Sequence, residues 1–530
     1  MDIFSNPELI RNARAQLRWG RMISVAAICA VLSLVTGYSL AHEQLASEPP
    51  GQWGMHLLQI ALGAQVVALL LGGSLACLNA VHREKEMNTF DFQRVTRLTP
   101  WELAVGKLFG APVLVYFVVL CLMPAALVGA VVGGARPTMV GAAYVVLLLG
   151  SIAVHAFAMV ISMLHQRGTN TAAVLLLILA LMSGFPTRNN RHLFDIGALN
   201  PFFAVQMVEE KSWEMVSLSA QQAEKADGQL SLGDVFFGLR LHHLPVLLVL
   251  YASFAAWFLL AVTRNLKRDP SVYELYTPSQ SLGLLMYINL LMLGFFRWDY
   301  LLQTREAPRI FYDTRMAPNE AQGMFLGLNL SLFLVLGLTL FRNRDRIRRR
   351  LRELGDAASG WLAAIWPAPY VLAGMLLAGL AAVGMIQWKR DPKAEWDLVL
   401  AIFRLGIVAL WVVRDLLYLQ WMNLTRIRRP LTMGFVYLIV FYASTSILFF
   451  ALDLYDTPRR QAITSFFSPA AALGLTGKQW TGVEPWWLLA MFGQVAAAAV
   501  FAWLGRQKLL ALVPAPAVAP AAESPLPTVG

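Results

Sequence analysis

The sequence predicts an all-α, polytopic membrane protein of about 12 transmembrane helices. Three observations carry that prediction. Only 14% of the 530 residues are charged and 57% are hydrophobic, where a water-soluble chain carries about 25% charge. Apolar runs of about 20 residues recur along the whole length, enough for a helix to cross a hydrocarbon core about 30 Å thick. Arginines also gather in short loops: the 342–356 loop holds seven and the 42–52 loop none. That asymmetry places both termini in the cytoplasm. It also explains the net charge of +11 without nucleic acid, which is not expected as a partner.

Residues 1–21 read as an interfacial segment. Ser5 or Asn6 can cap a helix, with Pro7 in its first turn. Arg11, Arg14, Arg18 and Arg21 then share one face, and Leu9, Ile10, Ala13 and Leu17 another. Such an amphipathic helix lies flat on an anionic bilayer surface. No cleavable leader is expected, because no Ala-x-Ala site precedes a soluble domain.

The expected spans are 22–41, 57–81, 108–134, 138–164, 170–186 and 244–263 in a first half (22–263), then 281–297, 322–341, 361–386, 396–418, 432–452 and 485–504 in a second (264–510). The halves read as distant copies of one six-helix unit. Ala111-Pro112 at the third span corresponds to Ala368-Pro369 at the ninth, and Asn200-Pro201-Phe202 after the fifth to Ser468-Pro469-Ala470 after the eleventh. Duplicated bundles suit transport, because a path can form between them. Residues 511–530 are rich in Pro and Ala and are expected to be a disordered tail.

A charged island, REKEMNTFDFQRVTRLTPWELAVGK, occupies residues 83–107 between two apolar spans. Glu84, Lys85 and Glu86 open it. Phe90, Phe92, Val95 and Leu98 give a short helix one apolar side. Thr99 can then cap a new helix, with Pro100 at its first position and Glu102 at its third, running on through Gly106 and Lys107 into the third span.

This order resembles the cytoplasmic coupling segment of type-2 ABC transporter permeases. Thr89, Thr96 and Glu102 hold the family register without a gap, and Gly106-Lys107 stands where that family enters its third helix. Asn88 replaces the usual Gly and Arg97 the usual Pro. The resemblance covers the first half; the second corresponds only in helix count. It implies a permease subunit of an ATP-driven exporter in a bacterial inner membrane, with Glu84, Glu86, Thr89, Thr96, Pro100, Glu102, Gly106 and Lys107 coupling it to a separate ATPase subunit, itself a dimer. ATP and magnesium would sit on that partner, and this chain would hold no cofactor. A second permease chain stays open as a further partner beside the lipid bilayer.

The chain has no phosphate loop of its own, nor HExxH or GxSxG, so it is not expected to be an enzyme. Cys29, Cys77 and Cys121 lie in apolar runs as small packing residues, without metal spacing. His155 reads as hydrogen-bonded structure. In the second span Gln65, Ala68, Gly72, Ala76 and Asn79 form a small, polar stripe suited to close helix packing; by the resemblance, Gln65, Gly72 and Asn79 are also candidates for lining a central path. Arg404, deep in the tenth span, either braces the bundle interior or joins them. The competing functions are a membrane enzyme acting on lipid or lipid-linked substrates, which would need a cluster of acid, base or metal ligands, and an ion-driven secondary transporter, which would need carboxylates near mid-membrane.

Overall fold

The computed structural model describes residues 6–44, 52–87, 96–164, 203–206, 208, 234–237, 239–241, 243–268, 274–296, 318–341, 361, 364–390, 396–425, 430–452, 454, 457–470, 472–473 and 485–511. The expected fifth span (170–186), the 342–356 loop, all of the 511–530 tail but its first residue, Asn200-Pro201-Phe202 and Thr89 lie outside them. The chain forms two compact units, Met1–Thr277 with Gly294–Arg297, and Pro278–Leu293 with Trp298–Gly530.

Besides a single turn at Phe203–Gln206, the helices described in the first unit are α1 (Pro7–Gln16), α2 (Trp19–Gln44), α3 (Gln52–Val67), α4 (Ser74–Glu86), α5 (Pro100–Gly110), α6 (Val113–Val132), α7 (Pro137–Leu164) and α8 (His243–Asn265). A π-helical segment, Ala68–Gly73, joins α3 to α4. A hairpin of β1 (Asp234–Phe236) and β2 (Leu239–Leu241) precedes α8, turning through Phe237 at φ 51°. This is a small β addition to an otherwise helical fold.

At several glycines of this unit helices pack closely. A Cβ at Gly129 would come within 2.6 Å of the Leu58 amide nitrogen, so α6 and α3 meet backbone to backbone. Lipid supplies no hydrophobic drive between helices, so such contact carries much of their association. Leu62, Val66, Cys77, Leu103, Leu108 and Met159 form the core, and Ser162 Oγ donates to the Leu78 carbonyl at 2.6 Å to tie α7 to α4.

The second unit contains α9 (Pro278–Phe295) up to Leu293, α10 (Pro318–Leu340), α11 (Ala368–Lys389), α12 (Leu398–Asn423), α13 (Pro430–Ala451), the short α14 (Pro458–Thr464) and α15 (Pro485–Leu510). Trp411, Phe333, Val371, Met375 and Trp487 fill its centre. Gly374 leaves room for the Phe333 ring, whose Cε1 would lie 2.7 Å from a Cβ there.

Ten helices among the described residues are long and apolar enough to cross a membrane. An eleventh long helix, α12, has 26 residues and carries Arg404, Arg414 and Asp415. The chain is a multi-pass membrane protein.

Two local expectations change. The N-terminal helix ends at Gln16 rather than running to residue 21, so Arg21 belongs to α2. The helix starting at Pro100 does not continue into the third span. It closes at Gly110, and α6 starts after Pro112, which has no N–H to extend the ladder. Residues 84–86, which open the charged island, form the last turn of α4.

Candidate coupling site

The start of α5 is built as its sequence requires. Thr99 Oγ1 accepts from the Glu102 amide at 3.2 Å, and Glu102 Oε2 accepts from the Thr99 amide at 2.6 Å. This reciprocal cap, with Pro100 first in the helix, satisfies orphan donors at both ends of the turn. The α1 start repeats the device with one residue: Asn6 Oδ1 accepts from the Glu8 amide at 3.0 Å and from the Leu9 amide at 3.4 Å.

The two capped helices pack on each other. Asn6 Nδ2 donates to the Glu102 carbonyl at 2.7 Å, and Gln16 Nε2 to the Ala111 carbonyl at 2.9 Å, fixing α1 at both ends. Between these points Gly106 and Gly110 form a shallow seat. A Cβ on Gly106 would lie 2.7 Å from Glu8 Cβ, and one on Gly110 would lie 3.0 Å from Asn12 Cβ. Thus α1 docks on protein through Asn6, Glu8, Asn12 and Gln16, a face that an apolar-versus-basic division of the helix does not single out.

At the centre of this contact lies a balanced ion cluster. Lys107, 1% exposed, places Nζ 2.5 Å from Glu84 Oε2 and 3.4 Å from Glu8 Oε1. Arg11 reaches the same carboxylates from outside, 2.7 Å from Glu8 Oε1 and 3.3 Å from Glu84 Oε1. Two formal negative charges thereby meet two positive ones across α1, α4 and α5. A buried charge without its partner is costly, so this geometry holds three chain segments in one arrangement. Glu84 is therefore a buried structural carboxylate, not the water-facing group its neighbours in sequence suggest.

The remaining members of the motif divide. Lys267, in the turn after α8, donates to the Thr96 carbonyl at 2.9 Å and anchors the approach to α5. Trp101 is 57% exposed at the start of α5. Glu86 ends α4, and Thr89 falls outside the described residues. The structure thus brings Glu84, Gly106 and Lys107 together, sets Pro100 and Glu102 at the adjoining cap, and holds Thr96 through its backbone.

The candidate lining residues lie elsewhere. Gln65 is buried and donates to the Val119 carbonyl of α6 at 3.3 Å. Gly72 faces Val115, whose Cγ2 would lie 3.3 Å from a Cβ there, and Asn79 is half-buried on α4. In the second unit Arg404 donates to the carbonyls of Ala472 at 3.0 Å and Asn319 at 3.1 Å and to Gln322 Oε1 at 3.3 Å. It ties α12 to the start of α10 and to the chain after α14.

Two groups of residues escape the sequence reading. Glu8 has no local pattern pointing to Lys107, 99 positions away. Arg414 donates to Asp415 Oδ1 at 2.5 Å, to Tyr442 Oη at 2.5 Å and to Gln494 Oε1 at 3.1 Å. Tyr442 Oη in turn donates to Asp415 Oδ2, and the guanidinium stacks 3.7 Å over the Trp411 ring. The adjacent Arg-Asp pair inside a hydrophobic stretch is the one signal that could have found this network. Among the described residues, no group of three or more His, Cys, Asp or Glu could hold a metal.

Comparison with curated proteins and with solved structures gives no match. Residues 8–204, which begin at Glu8 and include Arg11, Glu84 and Lys107, match the family model described as ABC-2 type transporter.

Proposed function

We propose that the chain is the permease subunit of an ATP-driven ABC exporter, coupled through residues 83–107 to a separate ATPase subunit in a bacterial inner membrane. The observation that carries this reading is the Glu8–Arg11–Glu84–Lys107 cluster. It fastens the two ends of the island, α4 before it and α5 after it, to α1. A contact made on the island would then move α4, α5 and α1 as one rigid body, the kind of element that transmits a domain closure. The resemblance supports outward transport and ATP with magnesium on the partner, and the arginine asymmetry supports cytoplasmic termini.

The test is reconstitution with an ATPase encoded beside the chain's own gene. The exporter reading expects the chain alone to hydrolyse no ATP, the pair to hydrolyse it, and inside-out vesicles to accumulate substrate only with ATP. Hydrolysis by the isolated chain, or failure to retain any ATPase subunit, would overturn it.

Asp415 is the observation that favours the ion-driven alternative, since it places a buried carboxylate within α12. Both its oxygens already accept bonds from Arg414 and Tyr442. A carboxylate so committed serves better as a brace between α12 and α13 than as a carrier that must load and release an ion.

A further inference from the structure

The second span is one continuous apolar stretch, Gln52–Val81, yet its hydrogen-bond ladder changes type midway. Residues Ala68–Gly73 are π-helical, and the backbone on either side keeps ordinary helical angles, φ −60° and ψ −45° at Val67 and φ −65° and ψ −42° at Ser74. A π segment holds an extra residue in the turn and weakens the ladder locally, so it persists where something outside the helix holds it.

His155 of α7 supplies that hold. The ring is fully buried, with Nε2 2.9 Å from the Leu69 carbonyl and Nδ1 3.2 Å from Tyr116 Oη of α6. A carbonyl can only accept, so Nε2 carries the proton; the neutral ring's Nδ1 then accepts from the Tyr116 hydroxyl. Gly73 completes the seat, because any Cβ there would overlap the imidazole. Ser74 Oγ, buried directly after the π segment, has no hydrogen-bond partner among the described residues.

We propose that Ala68–Gly73 is the bending point of the second span and that His155 is the positioning residue that latches it. Its place in transport rests on the permease reading. Downstream of the latch α4 runs from Ser74 to Glu84, which Lys107 clamps, a rise of about 15 Å along the helix axis. Motion of the clamped end therefore reaches the π segment through one continuous α-helix. There the π register can be kept or released, giving the two discrete arrangements that coupling requires.

Hydrogen–deuterium exchange on the purified full chain in lipid nanodiscs tests the latch without a partner. The His155→Leu variant should raise exchange at residues 68–74 about tenfold while residues 58–64 and 77–83 keep wild-type rates. His155→Gln keeps a donor and should stay within about threefold of wild type. Tyr116→Phe, which only frees Nδ1, should give an intermediate rise and decides the matter if His155→Leu fails to fold. Unchanged exchange at 68–74, or a uniform rise across the unit, would overturn the proposal. In the complex, His155→Leu should retain the ATPase at wild-type stoichiometry but hydrolyse ATP without transport; full coupling would remove the role in transport. If the wild-type chain binds no ATPase, the permease reading fails while the exchange result still decides the latch.

Discussion

Lys107 Nζ lies 2.5 Å from Glu84 Oε2 with 1% of the lysine exposed, joining two helix ends separated by 23 positions in sequence. Removing either partner leaves the buried cluster with an excess of one charge. Lys107→Ala should destabilise the first unit by about 3–5 kcal/mol, seen as a lowered thermal midpoint in detergent. Glu102→Lys, which costs only the cap, should lose about 1 kcal/mol. Equal losses would mean that the buried pair adds nothing beyond the cap.

The pair should also be replaceable as a unit. Glu84→Met with Lys107→Met removes both charges at once, and buried ion pairs exchanged for apolar residues of similar size are often neutral in stability. The double variant should therefore be more stable than Lys107→Met alone, with a coupling energy above about 1 kcal/mol in the mutant cycle. Additive losses would contradict direct pairing.

Docking of α1 on α5 is testable by disulfide formation. Asn12 Cβ lies 3.0 Å from the Cβ position of residue 110, close to the separation a disulfide requires. Cysteines at 12 and 110 should cross-link under mild oxidation. Adding Gly106→Val, whose side chain would displace Glu8, should abolish that cross-link. A helix lying free on the bilayer would give no cross-link in either background.

The class of the fold was legible because membrane helices announce themselves by length and composition. The α5 cap was legible too, because Thr99, Pro100 and Glu102 act within a single turn. What escaped depends on long-range partners. Nothing near Glu8 signals Lys107, and nothing in the uniformly apolar Ala68–Gly73 signals a change of helix type that His155 supports from 86 positions away. The break at Pro112 was visible as a residue, yet the hydrophobic run on both sides of it obscured the boundary.

In the second unit, Asp415→Leu should cost about 3–5 kcal/mol by leaving Arg414 buried without its carboxylate. Arg414→Met combined with Asp415→Leu should recover most of it, read by thermal unfolding. An undiminished loss in the double variant would assign the stability to the Trp411 and Gln494 contacts of Arg414 instead.

Site-specific photo-cross-linking at position 101 tests the coupling claim most directly. Trp101 is exposed at the start of α5, while Trp388, 66% exposed at the end of α11, is expected on the opposite side of the membrane and serves as control. A photoreactive residue at 101 should capture the ATPase subunit, with a yield that changes on ATP addition, and one at 388 should capture none. No adduct at 101, or equal adducts at both positions, would contradict the account.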